Sequence, residues 1–414
     1  MADVVVEEQS LKIYFIPFLA SGHMIPLCDI ARSFSSRGHH VTIITTIGNA
    51  QTLHNSISNH FHIHTIPFPS QEVGLPHGIE IASVDSYFGK VFQAAMLLKG
   101  PIELFIEENP PDCIVADFLY TWVDDLANKL HCPRLAFNGF SLFSVCALDS
   151  LYANPNLENL DNFVIKDFPH LITMKDTPPK EFYTYLEQMR KTELKSYGLI
   201  VNNFAEFDGG EYIKHYEKTT RHKAWHLGPA SLIRKSDQEK GERGQKSVVS
   251  VHECLNWLNS KPPNSILYIC FGSLCHFPDK QLYEIACGIE ATGHGFIWAI
   301  SAGVPMITWP VHSEQFYNEK LITQVRGIGI EVGAEVWNNC GSWKTDKVVG
   351  RDQIEKVVRR LMEDGDEAKL IRKRAHEFGQ KARQAIQQGG SSYNNLTALI
   401  HDLRCFKDHK SLRS

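Results

Sequence analysis

The chain has 414 residues, 43% of them hydrophobic and 21% charged, which is the balance of an ordinary globular protein with room for two or three domains. Its formal net charge is −5 with no basic cluster, which speaks against nucleic acid as a partner, and no apolar run approaches the roughly 20 residues of a membrane span. The ten cysteines form neither a CxxC pair nor a metal-ligand cluster, and the N-terminus MADVVVEEQS lacks the basic and apolar regions of a signal peptide, so reduced thiols, a cytoplasmic location and no metal site are expected.

Lys12–Pro17 (KIYFIP) reads as a buried strand, and Ile25–Ser36 carries helical spacing. Val41–Thr46, rich in β-branched residues, and the short Ile63–Pro67 read as strands. A long helical region covers Val84–Glu107, with a break expected near Gly100 and Pro101. Cys113–Asp117 (CIVAD) and Arg134–Phe137 are strands around a helix from Thr121 to Leu130, and Leu199–Asn202 and Ala224–Leu227 complete the series. Strands alternating with helices imply βαβ units, a parallel sheet and right-handed crossovers.

Ser231–Ser250 is polar, charged and nearly free of large apolar residues, as a linker would be. A second α/β series follows: strand Ser265–Phe271, helix Asp279–Thr292, strands Gly295–Ile300 and Pro305–Trp309, helix Ser313–Val325 and strand Gly329–Val332. The remainder is helical, with breaks near Gly365 and Gly389-Gly390. The expected division is an acceptor-side domain over 1–230, a linker over 231–250 and a second domain over 251–414. Ligands of such lobes sit beyond the carboxyl ends of strands.

Between the strands Gly295–Ile300 and Pro305–Trp309 lies little more than Ser301, Ala302 and Gly303. A return to the start of a parallel neighbour must cover the roughly 16 Å of a five-residue strand plus the lateral step. A three-residue link reaches about 14 Å at most. Either the two runs are not parallel neighbours, or something that belongs between them is absent.

Three loops carry candidate chemistry. His23 follows the first strand, with Gly22 before it; a neutral imidazole there could deprotonate a hydroxyl, or simply cap a helix. Asp117 ends the CIVAD strand, where it could orient such a histidine or cap the helix from Thr121. Phe271-Gly-Ser273 could present backbone N–H groups to a phosphate, or be an ordinary turn. Gly327-x-Gly329 with Gly333 follows a helix rather than opening one after a strand, so it is not a dinucleotide fingerprint.

Ile16–Thr46, Pro110–Ala127, Cys254–Leu274 and Ser301–Leu321 together resemble the plant family-1 UDP-sugar glycosyltransferases, in wording closest to those acting on flavonoids, triterpenoids and abscisate-like acceptors. The resemblance implies a GT-B fold of two Rossmann-like lobes with parallel sheets, the first binding a small-molecule acceptor and the second a UDP-sugar, expected to be UDP-glucose. It implies a monomer that needs no metal or other cofactor, with His23 as general base, Asp117 as its orienting partner, and inversion at the sugar. Glu314 and Gln315 match the pair that holds sugar hydroxyls, Trp309 falls where the sugar pocket is lined, and Ser273 where the phosphates are approached. In the family a long insert follows the strand matched by Phe296–Ile300. It holds two further strand–helix units and the first half of the donor signature, and it has no counterpart here. The second lobe should therefore show exposed sheet edges or displaced strands. Its activity is in doubt, an acceptor-binding protein without turnover or a splice or gene-model product being the alternatives.

Overall fold

The computed structural model describes residues 9–51, 61–82, 87–153, 162–175, 180–234, 236, 239–240, 251–270, 272, 277–298, 304–338 and 347–412. Its first lobe is built on seven strands: β1 (Lys12–Ile16), β2 (His40–Thr46), β3 (His62–Ile66), β4 (Cys113–Asp117) and β5 (Arg134–Asn138), then, after the antiparallel hairpin β6 (Phe163–Val164) and β7 (Thr173–Met174), β8 (Gly198–Val201) and β9 (Ala224–His226). Their order is β3-β2-β1-β4-β5-β8-β9 and every pairing is parallel. The winding reverses between β1 and β4, and that reversal opens a crevice at their carboxyl ends.

Alternation along β1 assigns the two faces of this sheet. Ile13 and Phe15 belong to one core with Leu27, Ile30 and Phe34 of the helix Ser21–Ser35, whereas Tyr14 and Ile16 belong to the opposite core with Val91, Ile102 and Ile106. The first core is closed by the last helix of the chain, Ser391–Ser411, through Leu396, Leu399, Ile400 and Leu403. The described part of the expected linker is docked on the same side: Arg234 Nε meets Asp29 Oδ1 at 2.7 Å, and Glu239 meets Arg32 at 2.6 Å.

Two elements differ instructively from the sequence pattern. The helix expected from Ile25 begins at Ser21, because the N–H groups of His23 and Met24 already bond the carbonyl of Ala20. Pro26, a residue typical of helix starts, sits within that helix and suggests too late an origin. The helix Leu142–Tyr152 went unread because eight of its eleven residues are buried, so no polar face gives it a visible period.

In the second lobe β10 (Ile266–Ile269) pairs in parallel with β11 (Gly295–Trp298), and β12 (Met306–Thr308) with β13 (Gly329–Glu331). Among the described residues the two pairs do not join into one sheet. Among the described residues the strands flanking the short link are therefore not neighbours, and β12 falls one residue short of its expected run at each end. Ala299 and Ile300, at the end of the first run, lie outside the described residues. Ser301–Gly303 themselves lie outside the described residues. The core of this lobe gathers Ile285 and Ile289 of the helix Asp279–Thr292 with Ile354, Val357 and Val358 of the helix Arg351–Met362.

Candidate active site

His23, in the first turn of the helix after β1, and Asp117, the last residue of β4, lie at the carboxyl ends of the two strands that flank the reversal of the first sheet. The fold brings His23 Nδ1 to 2.7 Å from Asp117 Oδ2, with the carboxylate fully buried and the imidazole 23% exposed. A carboxylate only accepts, so Nδ1 carries the proton of this bond and Nε2 is left as an acceptor. The other oxygen of Asp117 accepts the backbone N–H of Leu119 at 3.1 Å, a local turn that fixes the carboxylate. Asp117 does not cap the following helix, which begins at Val123 after Trp122.

Two effects compete at the imidazole. Burial lowers the pKa of His23, and its place in the first turn of a helix also disfavours a positive charge. The charge and hydrogen bond of Asp117, helped by the charge of Glu314, outweigh them, and the pKa is raised from 6.5. Glu314 is itself pushed up to about 7, chiefly by burial, with a backbone hydrogen bond and the charge of His23 holding it lower. Aromatic rings wall the histidine: Phe18 edge-on at 5.5 Å and Phe118 stacked at 6.3 Å.

The other expected residues are placed as follows. Glu314 immediately precedes the helix Gln315–Lys320 and lies near enough to His23 for their charges to couple. The side-chain carbonyl of Gln315 turns back to accept the N–H of Val311 at 2.9 Å, so half of its amide holds its own loop. Trp309 packs edge-on against Phe277 at 5.4 Å and lines an apolar cavity of about 360 Å³. Ser273 lies outside the described residues. The Gly327 and Gly329 pair flanks the entry to β13, away from any strand-to-helix turn.

Asn318 was not foreseen. Its Oδ1 accepts from Ser141 at 2.7 Å and Ser144 at 2.9 Å, the first turn of the helix Leu142–Tyr152 in the opposite lobe. Its amide nitrogen reaches Glu314 at 3.4 Å. The signal was present in the spacing, because Glu314 and Asn318 are four residues apart, the separation that shares a helix face. Arg326 makes a second inter-lobe contact, donating to the carbonyls of Phe207 at 2.6 Å and Asp208 at 2.5 Å. Among the described residues no cluster of three His, Cys, Asp or Glu side chains is placed to hold a metal ion, and no helix is long and apolar enough to cross a membrane.

No protein-family model matches the chain. It is 39% identical to UDP-glucosyl transferase 73CC6 of Saponaria officinalis, the match covering 97% of this chain and 98% of that protein. It is 38% identical to UDP-glucose flavonoid 3-O-glucosyltransferase 7 of Fragaria ananassa, over 95% and 96%. The first match runs over 484 positions, more than the 414 residues available, so that relative carries stretches with nothing opposite them here. In three dimensions the chain resembles Glycyrrhiza uralensis UGT73P12 complexed with glycyrrhetinic acid 3-O-monoglucuronide, with a TM-score of 0.89, 32% identity and 98% of each chain covered. On these likenesses the chain belongs to the plant UDP-glycosyltransferases, enzymes of the GT-B fold that glycosylate small metabolites.

Proposed function

We propose that the site is that of a glucosyltransferase acting on a hydroxyl of a small plant metabolite, with UDP-glucose as donor, in which the catalytic half is complete and the donor half is depleted. The observation that carries this is the 2.7 Å bond between His23 and the buried Asp117 at the crevice of the first sheet. Nε2 takes the proton of the acceptor hydroxyl as its oxygen attacks the anomeric carbon. The bond from that carbon to the UDP oxygen breaks, and in-line attack inverts the configuration. Asp117 holds the tautomer and stabilises the imidazolium formed. Glu314 and Gln315 would hold sugar hydroxyls, Trp309 the sugar face and Ser273 the phosphates. Residues 1–230 would bind the acceptor and 251–414 the donor, joined by 231–250, in a cytoplasmic monomer. A flavonoid or triterpenoid acceptor is supported by the names of the Fragaria relative and of the Glycyrrhiza complex.

A second reading, acceptor binding without turnover, is favoured by the unmatched stretches of the relative and the unjoined strand pairs. We place the missing segment at Ile300–Ser301. Charge-assisted contacts to phosphate and ribose contribute roughly 1.5–3 kcal/mol each. Losing several weakens donor binding by several powers of ten. The purified chain is expected to give no calorimetric signal with millimolar UDP-glucose. Micromolar binding, or turnover abolished by His23→Ala, would establish instead that the donor site is intact.

A further inference from the structure

The second lobe holds a slot with the character of a vacant strand position. β10 and β12 each have one strand partner among the described residues, and each turns its other edge toward the other strand. The space between them, about 760 Å³, is lined from Lys261 to Tyr268 on one side and from Val304 to Trp309 on the other. It adjoins the 360 Å³ apolar cavity, which is lined at its far end by Cys270 and Gly272 beyond β10 and by Trp309 and Val311 beyond β12. The starts of the two strands thus meet at one end of the space and their ends at the other, so they run in the same direction.

The hydrogen bonding of β12 shows what the slot asks for. Met306 N–H donates to Ile328, and the carbonyl of Thr308 accepts from Val332, so these residues face β13. In a parallel strand successive residues alternate sides, which turns the N–H and C=O of Ile307 into the slot. Ile285, Ile289, Ile354 and Val358 line the adjoining cavity, while Ile322, Leu361 and Met362 line the larger space together with Gln315, Asn318, Glu319 and Arg372. Two facing strand edges above a floor of this mixed character are matched by an extended peptide, whose backbone can meet both edges.

We infer that the slot between β10 and β12 binds an extended apolar peptide strand in trans, parallel to both, and that its occupant is the family's own segment that this chain lacks. The inference rests on the reading above that strand–helix units are absent. The Saponaria relative has stretches with no counterpart here, and we place one of them in this slot. Bound backbone would convert two separate strand pairs into one continuous sheet.

The experiment titrates the full chain with overlapping synthetic peptides from the stretches of the Saponaria relative that have no counterpart here, against scrambled controls. Calorimetry gives affinity, and hydrogen exchange follows the Ile307 amide. One peptide is expected to bind at micromolar concentration and to slow exchange at Ile307. Among the described residues the slot-facing N–H of Ile307 has no strand to bond. Ile307 also packs on the core of this lobe, so Ile307→Pro is compared with Ile307→Ala, which loses the packing but keeps the N–H. The proline variant should bind the peptide about tenfold more weakly than the alanine variant, the worth of one backbone hydrogen bond. Binding by no peptide, an Ile307 amide already protected in the free chain, or an apolar dye that no peptide displaces would each overturn the inference. UDP-glucose is absent from these titrations, so their failure leaves the reading of the His23 and Asp117 site untouched. A failure of that site likewise leaves the slot standing.

Discussion

The contest at His23 between burial and two carboxylates can be measured directly. The raised pKa means that the imidazole is protonated, and useless as a base, to a higher pH than an ordinary histidine. Asp117→Asn and Glu314→Gln should each lower the pKa followed at the His23 ring protons by NMR, Asp117→Asn the more, because it removes both a charge and a hydrogen bond. Unchanged titration in Asp117→Asn would mean that the bond does not form in solution. The linkage has a definite sign. A histidine with a raised folded pKa stabilises the fold fully below 6.5 and loses that contribution as pH rises through the raised value. Glu314 acts in the same direction: its folded pKa of about 7 exceeds the ordinary 4.5, so its contribution also falls as pH rises between those values. Urea unfolding of wild type should therefore show stability falling between about pH 5 and 8 by more than in the Glu314→Gln variant. Residue type and position at a strand end left His23 and Asp117 each with a helix-capping alternative, and only the family resemblance nominated them as a pair. The charge of Glu314 reaches His23 only through the packing of one lobe on the other, which no local pattern encodes.

Among the elements, the helix Leu142–Tyr152 and the segment around Asn318 show how the lobes are registered. Ser141 has two tasks: its hydroxyl accepts the N–H of Ser144 at 3.2 Å as the helix N-cap, and it donates to Asn318 across the cleft. Ser141→Ala should cost about 1 kcal/mol from the cap plus a similar amount from the cross-lobe bond. Asn318→Ala removes both cross-lobe bonds, from Ser141 and from Ser144, at about 1 kcal/mol each, and the double variant should fall below it only by the cap's further 1 kcal/mol or so. Urea denaturation of the three variants checks this, and a double variant as stable as Asn318→Ala would remove the capping role. The strands of the first sheet were readable where they form short apolar runs, β-branched in Val41–Thr46 and fully buried in Cys113–Asp117. The hairpin β6–β7 was not, since two residues per strand carry no period. In the second lobe the run Pro305–Trp309 extends one residue beyond each end of β12, so counting every residue of the run as strand overstates it.

For the whole molecule, the chain order of its parts and their order in space disagree in a way that can be tested. Leu396, Leu399, Ile400 and Leu403 bury themselves in the core of the first sheet although they close a chain whose preceding elements build the second lobe. Lys407 pairs with Asp112 at 2.9 Å, Lys410 donates to the carbonyl of Leu130 at 2.8 Å, and Lys223 pairs with Asp402 at 2.8 Å, all fastening the same helix to the first lobe. Burying four aliphatic side chains stabilises by roughly 6–12 kcal/mol at 1.5–3 kcal/mol each, comparable to the total stability of a typical domain. Removing residues 391–414 should therefore cost the first lobe its cooperative unfolding, which circular dichroism during urea titration would register. A chain cut near Ile300–Gly303 should behave in the opposite way. Its fragment carrying residues 301–414 keeps the helix Ser391–Ser411 docked on the sheet of the fragment carrying residues 1–300, and Arg326 keeps its hold on Phe207 and Asp208. The cut protein should elute from a sizing column as one particle in native buffer and fall into two only in denaturant. Separation without denaturant would mean that the last helix leaves the first lobe once the backbone is opened.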